Sequence, residues 1–223
     1  IEKESKEIET ERLKLRPINE GDFAPLLELK KENDGNPNTP TAGDLSGESI
    51  EETARKYFEN YLNYHKRGGI MFMAFKKSTG EFVGEVDFKH TNGLNSWYKK
   101  GDFDFGYAIL QKHQRKGYAT ECAKAVLEYI TNHTSVEKLL ATARPQNTGS
   151  NKILANCGFE FLGKHDITDY KTDGTVDFIM DWNIYKFNPK IQKPHTTKTG
   201  TLVNSDFLNG LSVQEGFAKI LDY

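Results

Sequence analysis

The segment Gln111-Lys112-His113-Gln114-Arg115-Lys116-Gly117-Tyr118-Ala119-Thr120 holds the clearest chemistry in the sequence. Before it lies an alternating run, Phe103, Phe105, Tyr107 and Ile109. After it comes a stripe of Ala119, Cys122, Ala123, Val126, Leu127 and Ile130 at helical spacing. A polar loop therefore leads from a strand into the start of a helix. A helix N-terminus carries unpaired N–H groups and roughly half a positive charge, so it attracts anions. Gly117 and Ala119 let an anion approach the main chain closely, and Lys112, Arg115 and Lys116 add positive charge. The guest that suits these features is a diphosphate. The loop lacks the G-x-x-x-x-G-K-[ST] and G-x-G-x-x-G patterns of other phosphate-binding enzymes.

The elements that must hold this loop follow from periodicity. Residues 11–17 alternate through Leu13 and Leu15 and predict a strand, and Phe23, Leu26 and Leu27 then share a helical face. Residues 33–47, rich in Asn, Pro, Gly and Thr, predict a loop. Ser49 and Glu52 form a capping-box pattern ahead of a helix through Ile50, Ala54, Tyr57, Phe58, Tyr61 and Leu62. Residues 70–75 and 82–88 predict strands joined by a turn at Thr79-Gly80, and Asn92-Gly93 opens a longer loop to about residue 101. Residues 103–110 predict the next strand. A helix begins near Gly117, a strand covers 138–143, and a short helix through Ile153 and Leu154 ends at Gly158. Residues 159–163 and 176–184 predict the last strands, with Asp173-Gly174 in the turn between them. Hairpins in the middle and one strand-helix-strand unit predict an α/β fold. Its sheet is mixed, mostly antiparallel and twisted, with six to seven strands and helices on both faces.

Residues 1–187 form one domain in this reading, and residues 188–223 a linker with an appended segment. Residues 190–198 are basic, with Pro194 and several Thr. Phe207, Leu208, Leu211, Phe217, Ile220 and Leu221 then suggest a terminal helix or irregular segment. That segment packs back on the domain, docks on a second copy or another protein, or is disordered, which makes a homodimer through it one expectation. The formal net charge of -2 offers no field for nucleic acid. No run approaches the roughly 18 apolar residues of a membrane span. No secretory signal is visible, although the chain begins at Ile1 without a Met, which leaves room for a preceding natural N-terminus. Cys122 and Cys157 sit among apolar neighbours away from any metal-type cluster, so no metal site is expected and a reducing cytoplasm is.

Three separated motifs resemble one family. Gln114-x-x-Gly117-x-Ala119 is similar to the pyrophosphate-loop signature Q/R-x-x-G-x-G/A of the GNAT superfamily of acyl-CoA-dependent N-acyltransferases. Asn147-Thr148-Gly149-Ser150-Asn151-Lys152-Ile153-Leu154, closing with Cys157-Gly158-Phe159, resembles a helix of the ribosomal-protein alanine N-acetyltransferase branch. Thr10-Glu11-Arg12-Leu13-x-Leu15-Arg16 is similar to that branch's opening strand. The resemblance covers about residues 10–187. It implies a sheet splayed in a V near the strand 103–110, with the pantetheine of acetyl-CoA against exposed backbone at Ala108, Ile109 and Leu110. The diphosphate would then lie on amides of Arg115, Lys116, Gly117, Tyr118, Ala119 and Thr120 beside Gln114, with Asn147 and Ser150 reaching the arm from the opposite side.

The implied reaction is direct attack of an amine on the thioester, with a protein N-terminus or a small molecule as acceptor. It needs a base for the ammonium, a donor for the oxyanion and a proton for the leaving thiolate. A backbone N–H near Ile109 suits the oxyanion. Many superfamily members place a Tyr where Leu154 stands here, and Ser150 is nominated on the thiol side instead, or else as a helix-start residue. Glu85 is the first candidate base, Asp104 the second and His90 the third; alternation places Glu85 and Asp87 on one face and Val86 and Phe88 on the other. Tyr107 reads as packing. The acceptor pocket is expected between residues 33–47, the helix through Tyr57 and Tyr61, and the loop with Trp97 and Tyr98. A non-catalytic CoA-binding sensor or scaffold is the alternative.

Overall fold

The structure is a computed structural model that describes residues 7–34, 36, 49–91, 97–99, 101–170 and 176–190. Strands β1 (Ile8–Glu9) and β2 (Leu13–Pro17) come first, then helices α1 (Phe23–Asn33) and α2 (Ile50–Leu62). Strands β3 (Ile70–Lys76), β4 (Phe82–His90) and β5 (Phe103–Ile109) form a meander. Helix α3 (Tyr118–His133), strand β6 (Leu139–Ala143) and helix α4 (Thr148–Asn156) follow, and a hairpin of β7 (Glu160–Tyr170) and β8 (Val176–Phe187) ends the order. The strands lie in the order β1-β2-β3-β4-β5-β6-β8-β7. All neighbours are antiparallel except β5 and β6, which run parallel because α3 returns the chain across the sheet.

Eight strands are described, where six to seven were expected. The addition is β1, whose two residues pair with Leu15 and Lys14 and are too few to show a period. The two last strands run past their expected ends, β7 to Tyr170 and β8 to Phe187. Lys164, His165 and Asp166 of β7 are exposed, so no apolar alternation marks that extension. The turns expected at Asn92-Gly93 and Asp173-Gly174 lie outside the described residues. So do most of the 33–47 loop and all of 191–223, with the expected dimer contact.

Both faces of the sheet are covered. Leu13, Leu15, Phe72, Val86, Phe88 and Phe105 meet Cys122, Val126 and Ile130 of α3 on one face. Met71, Met73 and Phe82 meet Leu26 and Leu29 of α1 and Phe58 and Tyr61 of α2 on the other. The α2 capping box is present. Ser49 Oγ accepts the Glu52 N–H at 3.3 Å, and Glu52 Oε2 accepts the Ser49 N–H at 3.0 Å. Gly158, in the left-handed region at φ 88°, stands just past α4 as a helix stop. Ser49→Ala removes the α2 cap without touching the core, so urea unfolding should report a loss of about 1 kcal/mol.

Candidate active site

Sheet pairing decides where a ligand can enter. β5 and β6 share two registered pairs, Phe103↔Leu139 and Asp104↔Leu140, and then part. The gap is a cleft of about 130 Å³, walled by Gly106 and Tyr107 of β5, Thr142 and Ala143 of β6, and Asn147 and Ser150 at the start of α4. The Leu110 N–H donates to the Val83 carbonyl of β4 at 3.0 Å. Glu85 stands opposite Ala108. Alternation therefore directs the main-chain groups of Ala108 and Leu110 to β4, and those of Tyr107 and Ile109 to the gap. Of the three backbone positions expected to meet pantetheine, Ile109 faces the opening, and Ala108 and Leu110 do not.

The polar loop begins where β5 ends. Gln114 Nε2 donates back to the Ile109 carbonyl at 2.9 Å and ties the loop to the strand end. His113 is buried against the Tyr118 ring, with centroids 6.1 Å apart. Burial is the main influence that pushes its pKa below the ordinary histidine value. Arg115 and Gly117 then take left-handed conformations, at φ 59° and φ 82°. Gly117 is the α3 N-cap and brings no side chain to it, and the first intrahelical bond runs from Glu121 N to the Gly117 carbonyl at 3.0 Å. The amides of Tyr118, Ala119 and Thr120 thus head the helix with no partner inside it. Charge around the loop is unevenly available. Lys112 pairs with Glu28 at 3.2 Å and Glu81 at 3.4 Å, and Lys116 Nζ donates to the Lys112 carbonyl at 2.6 Å. Arg115 is exposed, with no ion pair among the described residues.

On the other wall, Asn147 caps α4 by accepting the Ser150 N–H on Oδ1 at 3.1 Å. Ser150 does not cap its own helix. Its Oγ lies 2.8 Å from the Tyr107 hydroxyl, which also donates to the Ser150 carbonyl at 3.2 Å. Burial pushes the Tyr107 phenol up to about 12, against the Ser150 hydrogen bond, so it stays protonated. Leu154, at the position where the family resemblance leads one to expect a Tyr, is buried and lines the cleft. Asn151 locks α4 to the sheet by accepting from Asn183 at 2.9 Å and Tyr185 at 2.7 Å.

The three candidate bases are not among the residues that wall this cleft. Glu85 is 5% exposed, on the face toward α1 and α2. Its Oε1 meets Lys30 Nζ at 3.3 Å, and Oε2 is buried with no hydrogen-bond partner among the described residues. Burial pushes Glu85 above the ordinary 4.5, and the Lys30 ammonium opposes it. Burial works against the Lys30 charge too, but the Glu85 carboxylate together with the Tyr61 and Tyr57 hydroxyls outweighs it and raises its pKa. Asp104 meets Lys89 at 3.2 Å and accepts the Tyr98 hydroxyl at 2.6 Å, while Lys89 also holds Asp87 at 2.8 Å. His90 projects to the opposite face from Glu85 and lies against Phe103, centroids 3.8 Å apart. Of the nominated side chains, Ser150 and Asn147 come together at the cleft. Sequence reasoning missed Tyr107 as a wall residue and Lys30 as the partner of Glu85. Tyr107 shares a strand phase with the core residue Phe105, and Lys30 is 55 residues from Glu85 in the chain.

A bare helix start beside a split parallel pair sets the class, and comparison with known proteins agrees. A family model described as an acetyltransferase (GNAT) domain matches residues 12–160, and the chain belongs to that family. It is an acetyl-CoA-dependent N-acetyltransferase. The uncharacterised N-acetyltransferase YjdG of Bacillus subtilis is 28% identical over 169 residues, covering 74% of this chain and 94% of that protein. The [ribosomal protein uS5]-alanine N-acetyltransferase of Escherichia coli is 29% identical over 104 residues, 45% of this chain and 50% of that one. Among solved structures, the RimL ribosomal L7/L12 alpha-N-protein acetyltransferase in complex with coenzyme A superposes with a TM-score of 0.63 at 18% identity. It covers 82% of this chain and 98% of its own. The ribosomal-protein-S5-alanine acetyltransferase of Vibrio fischeri gives 0.62 at 18% identity, covering 84% and 99%. Among the described residues no helix is long and apolar enough to cross a membrane, and no cluster of His, Cys, Asp or Glu suits a metal.

Lys30→Met leaves Glu85 buried without its counter-ion and should cost about 3–5 kcal/mol in urea unfolding, with Lys30→Met/Glu85→Leu recovering most of the loss. A carboxyl whose folded pKa is raised stabilises the fold below its unfolded pKa, and that contribution is lost as pH rises through the folded value. The single variant should therefore lose stability with rising pH, from the ordinary 4.5 upward, more steeply than the parent.

Proposed function

We propose that the chain passes the acetyl group of acetyl-CoA to the α-amine of a protein N-terminus, by direct attack in a ternary complex. A small-molecule amine is the second acceptor class. The observation that carries this reading is the β5–β6 gap, walled by Tyr107 and Ser150, in the strand whose end feeds the loop and the bare start of α3. The diphosphate lies on the amides from Arg115 to Thr120, and Gln114 fixes the loop against Ile109. The Ile109 N–H, turned to the gap, serves the oxyanion. Ser150 Oγ donates to the departing sulfur, with the Tyr107 hydroxyl behind it. Glu85, raised in basicity by burial but set apart from the cleft, takes the first ammonium proton through water before attack; as the C–N bond forms and the C–S bond breaks, the second nitrogen proton passes by way of Ser150 to the thiolate. Asp104, committed to Lys89 and Tyr98, keeps that face in shape. The ribosomal-protein alanine acetyltransferases among the relatives support an N-terminal Ala as acceptor. A cytoplasmic setting belongs to the proposal; it is supported by Cys122 and Cys157, which form no disulfide.

An acceptor screen read by mass spectrometry tests the reading, with peptides of different N-terminal residues set against free polyamines and amino acids. N-terminally acetylated peptides are the expected product; acetylation of small amines alone would reject the protein acceptor. Acetyl-CoA at 100 times its Kd should add about 2.7 kcal/mol to stability. Gly117→Glu strains a left-handed position and sets a carboxylate beside the diphosphate, so calorimetry should show binding abolished. Ser150→Ala and Tyr107→Phe should each lower kcat by about 10-fold to 100-fold with little change in KM for acetyl-CoA. Equal kcat in both variants would remove the hydroxyl pair from the chemistry.

A further inference from the structure

The opening motif Thr10-Glu11-Arg12-Leu13 is more than a hundred residues from the loop in sequence, yet its side chains meet the helix that the loop feeds. Glu121, in the first turn of α3, is the shared acceptor. Its Oε1 takes the Thr10 hydroxyl at 2.5 Å and the Arg12 N–H at 3.0 Å. Its Oε2 takes Arg12 Nε at 2.7 Å and stands 2.6 Å from Arg12 Nη2. The guanidinium then reaches past Glu121. Nη1 donates to the Lys116 carbonyl at 2.9 Å, and the guanidinium carbon lies 4.4 Å from the centre of the Tyr118 ring. A Cβ at Gly117 would lie 3.3 Å from Nη2. One arginine thus touches the residue between the two left-handed positions, the cap and the first helical side chain.

Two physical consequences follow. Arg115 is a non-glycine residue in the left-handed region, a conformation that persists only where neighbouring contacts fix it. The Arg12–Lys116 hydrogen bond supplies such a contact one residue on. A carboxylate in the first turn of α3 also suits the helix dipole but repels a bound diphosphate. Arg12 neutralises it, and with Thr10 draws both its oxygens toward the β1–β2 turn. The ion pair is only partly exposed on the Glu121 side, where the side chain is 16% accessible, and Nε and Nη2 converge on the one oxygen Oε2.

We propose that Arg12, with Thr10 and through Glu121, is a positioning residue of the cofactor site: the turn between β1 and β2 holds loop 114–117 in its anion-binding shape and so sets the affinity for acetyl-CoA. This rests on the reading that the diphosphate lies on the amides at the start of α3.

The test measures Kd for acetyl-CoA by calorimetry in Arg12→Gln, Arg12→Lys, Thr10→Val and Glu121→Gln, with Tm beside each. Steady-state rates use acetyl-CoA and S-acetylpantetheine, which lacks the diphosphate. Arg12→Gln should raise Kd and KM for acetyl-CoA by roughly tenfold or more, while kcat at saturation and kcat/KM for S-acetylpantetheine move by less than about twofold. Arg12→Lys keeps the charge but not the fork and should fall between. The Arg12→Gln/Glu121→Gln pair should lose less than the sum of its single losses, because the two residues act as one unit. An unchanged Kd in Arg12→Gln overturns the proposal. Equal loss with the truncated donor, or strictly additive losses in the pair, overturns it as well. Should Arg12→Gln fail to fold, Thr10→Val and Arg12→Lys decide by the same split between the two donors. Failure of the parent protein to bind acetyl-CoA through α3 would show instead as wild-type affinity in Gly117→Glu, a result separate from any Arg12 outcome.

Discussion

After Asp104 and Leu140 the parallel ladder between β5 and β6 stops, and the main-chain groups of Tyr107 and Ile109 face a gap instead of a strand. Main-chain donors and acceptors need partners, and leaving one buried and unpaired costs about 1–3 kcal/mol. A cleft with such an edge suits a ligand that carries amides of its own, and the pantetheine arm is one. The rest of the domain keeps that gap open. α4 is held on β8 by Asn151, and its first turn projects Ser150 against Tyr107 from across the opening.

The two faces of the sheet divide the chemistry. The face under α3 and α4 is apolar up to the cleft, where two hydroxyls meet. The face under α1 and α2 carries Glu85, Asp87 and Lys89 in a row along β4, paired with Lys30 and Asp104. Buried charges of this kind are costly unless matched, so the helices above them cannot shift without exposing an imbalance. Gly106 belongs to the same arrangement. A Cβ there would meet Asp87 Oδ1 at 2.9 Å, so the missing side chain makes room for the carboxylate beside the split strand.

The loop before α3 shows how local chemistry and packing share one task. Gly117 at φ 82° and the absence of a capping side chain are local properties of the sequence. The burial of His113 and the tether of Gln114 to Ile109 are not. They fix the path of the loop from the strand end to the bare helix start. Lys112 and Lys116 are drawn into contacts within the protein.

Element order, the parallel unit at α3, the α2 capping box and the polar loop before a helix were all legible in the sequence. Each depends on interactions within a few residues: periodicity, caps and turn residues act locally. The two faces of β4 were legible for the same reason, since Glu85 and Val86 must point apart. Eight-strand pairing, the early parting of β5 from β6 and the length of β7 were decided by partners distant in the chain. So were the roles of single side chains: Glu85 acquires Lys30, Ser150 acquires Tyr107, and Glu121 acquires Arg12. Sequence distance carries no record of these meetings, because a side chain's partner and its burial are set only when the sheet twists and the helices dock upon it.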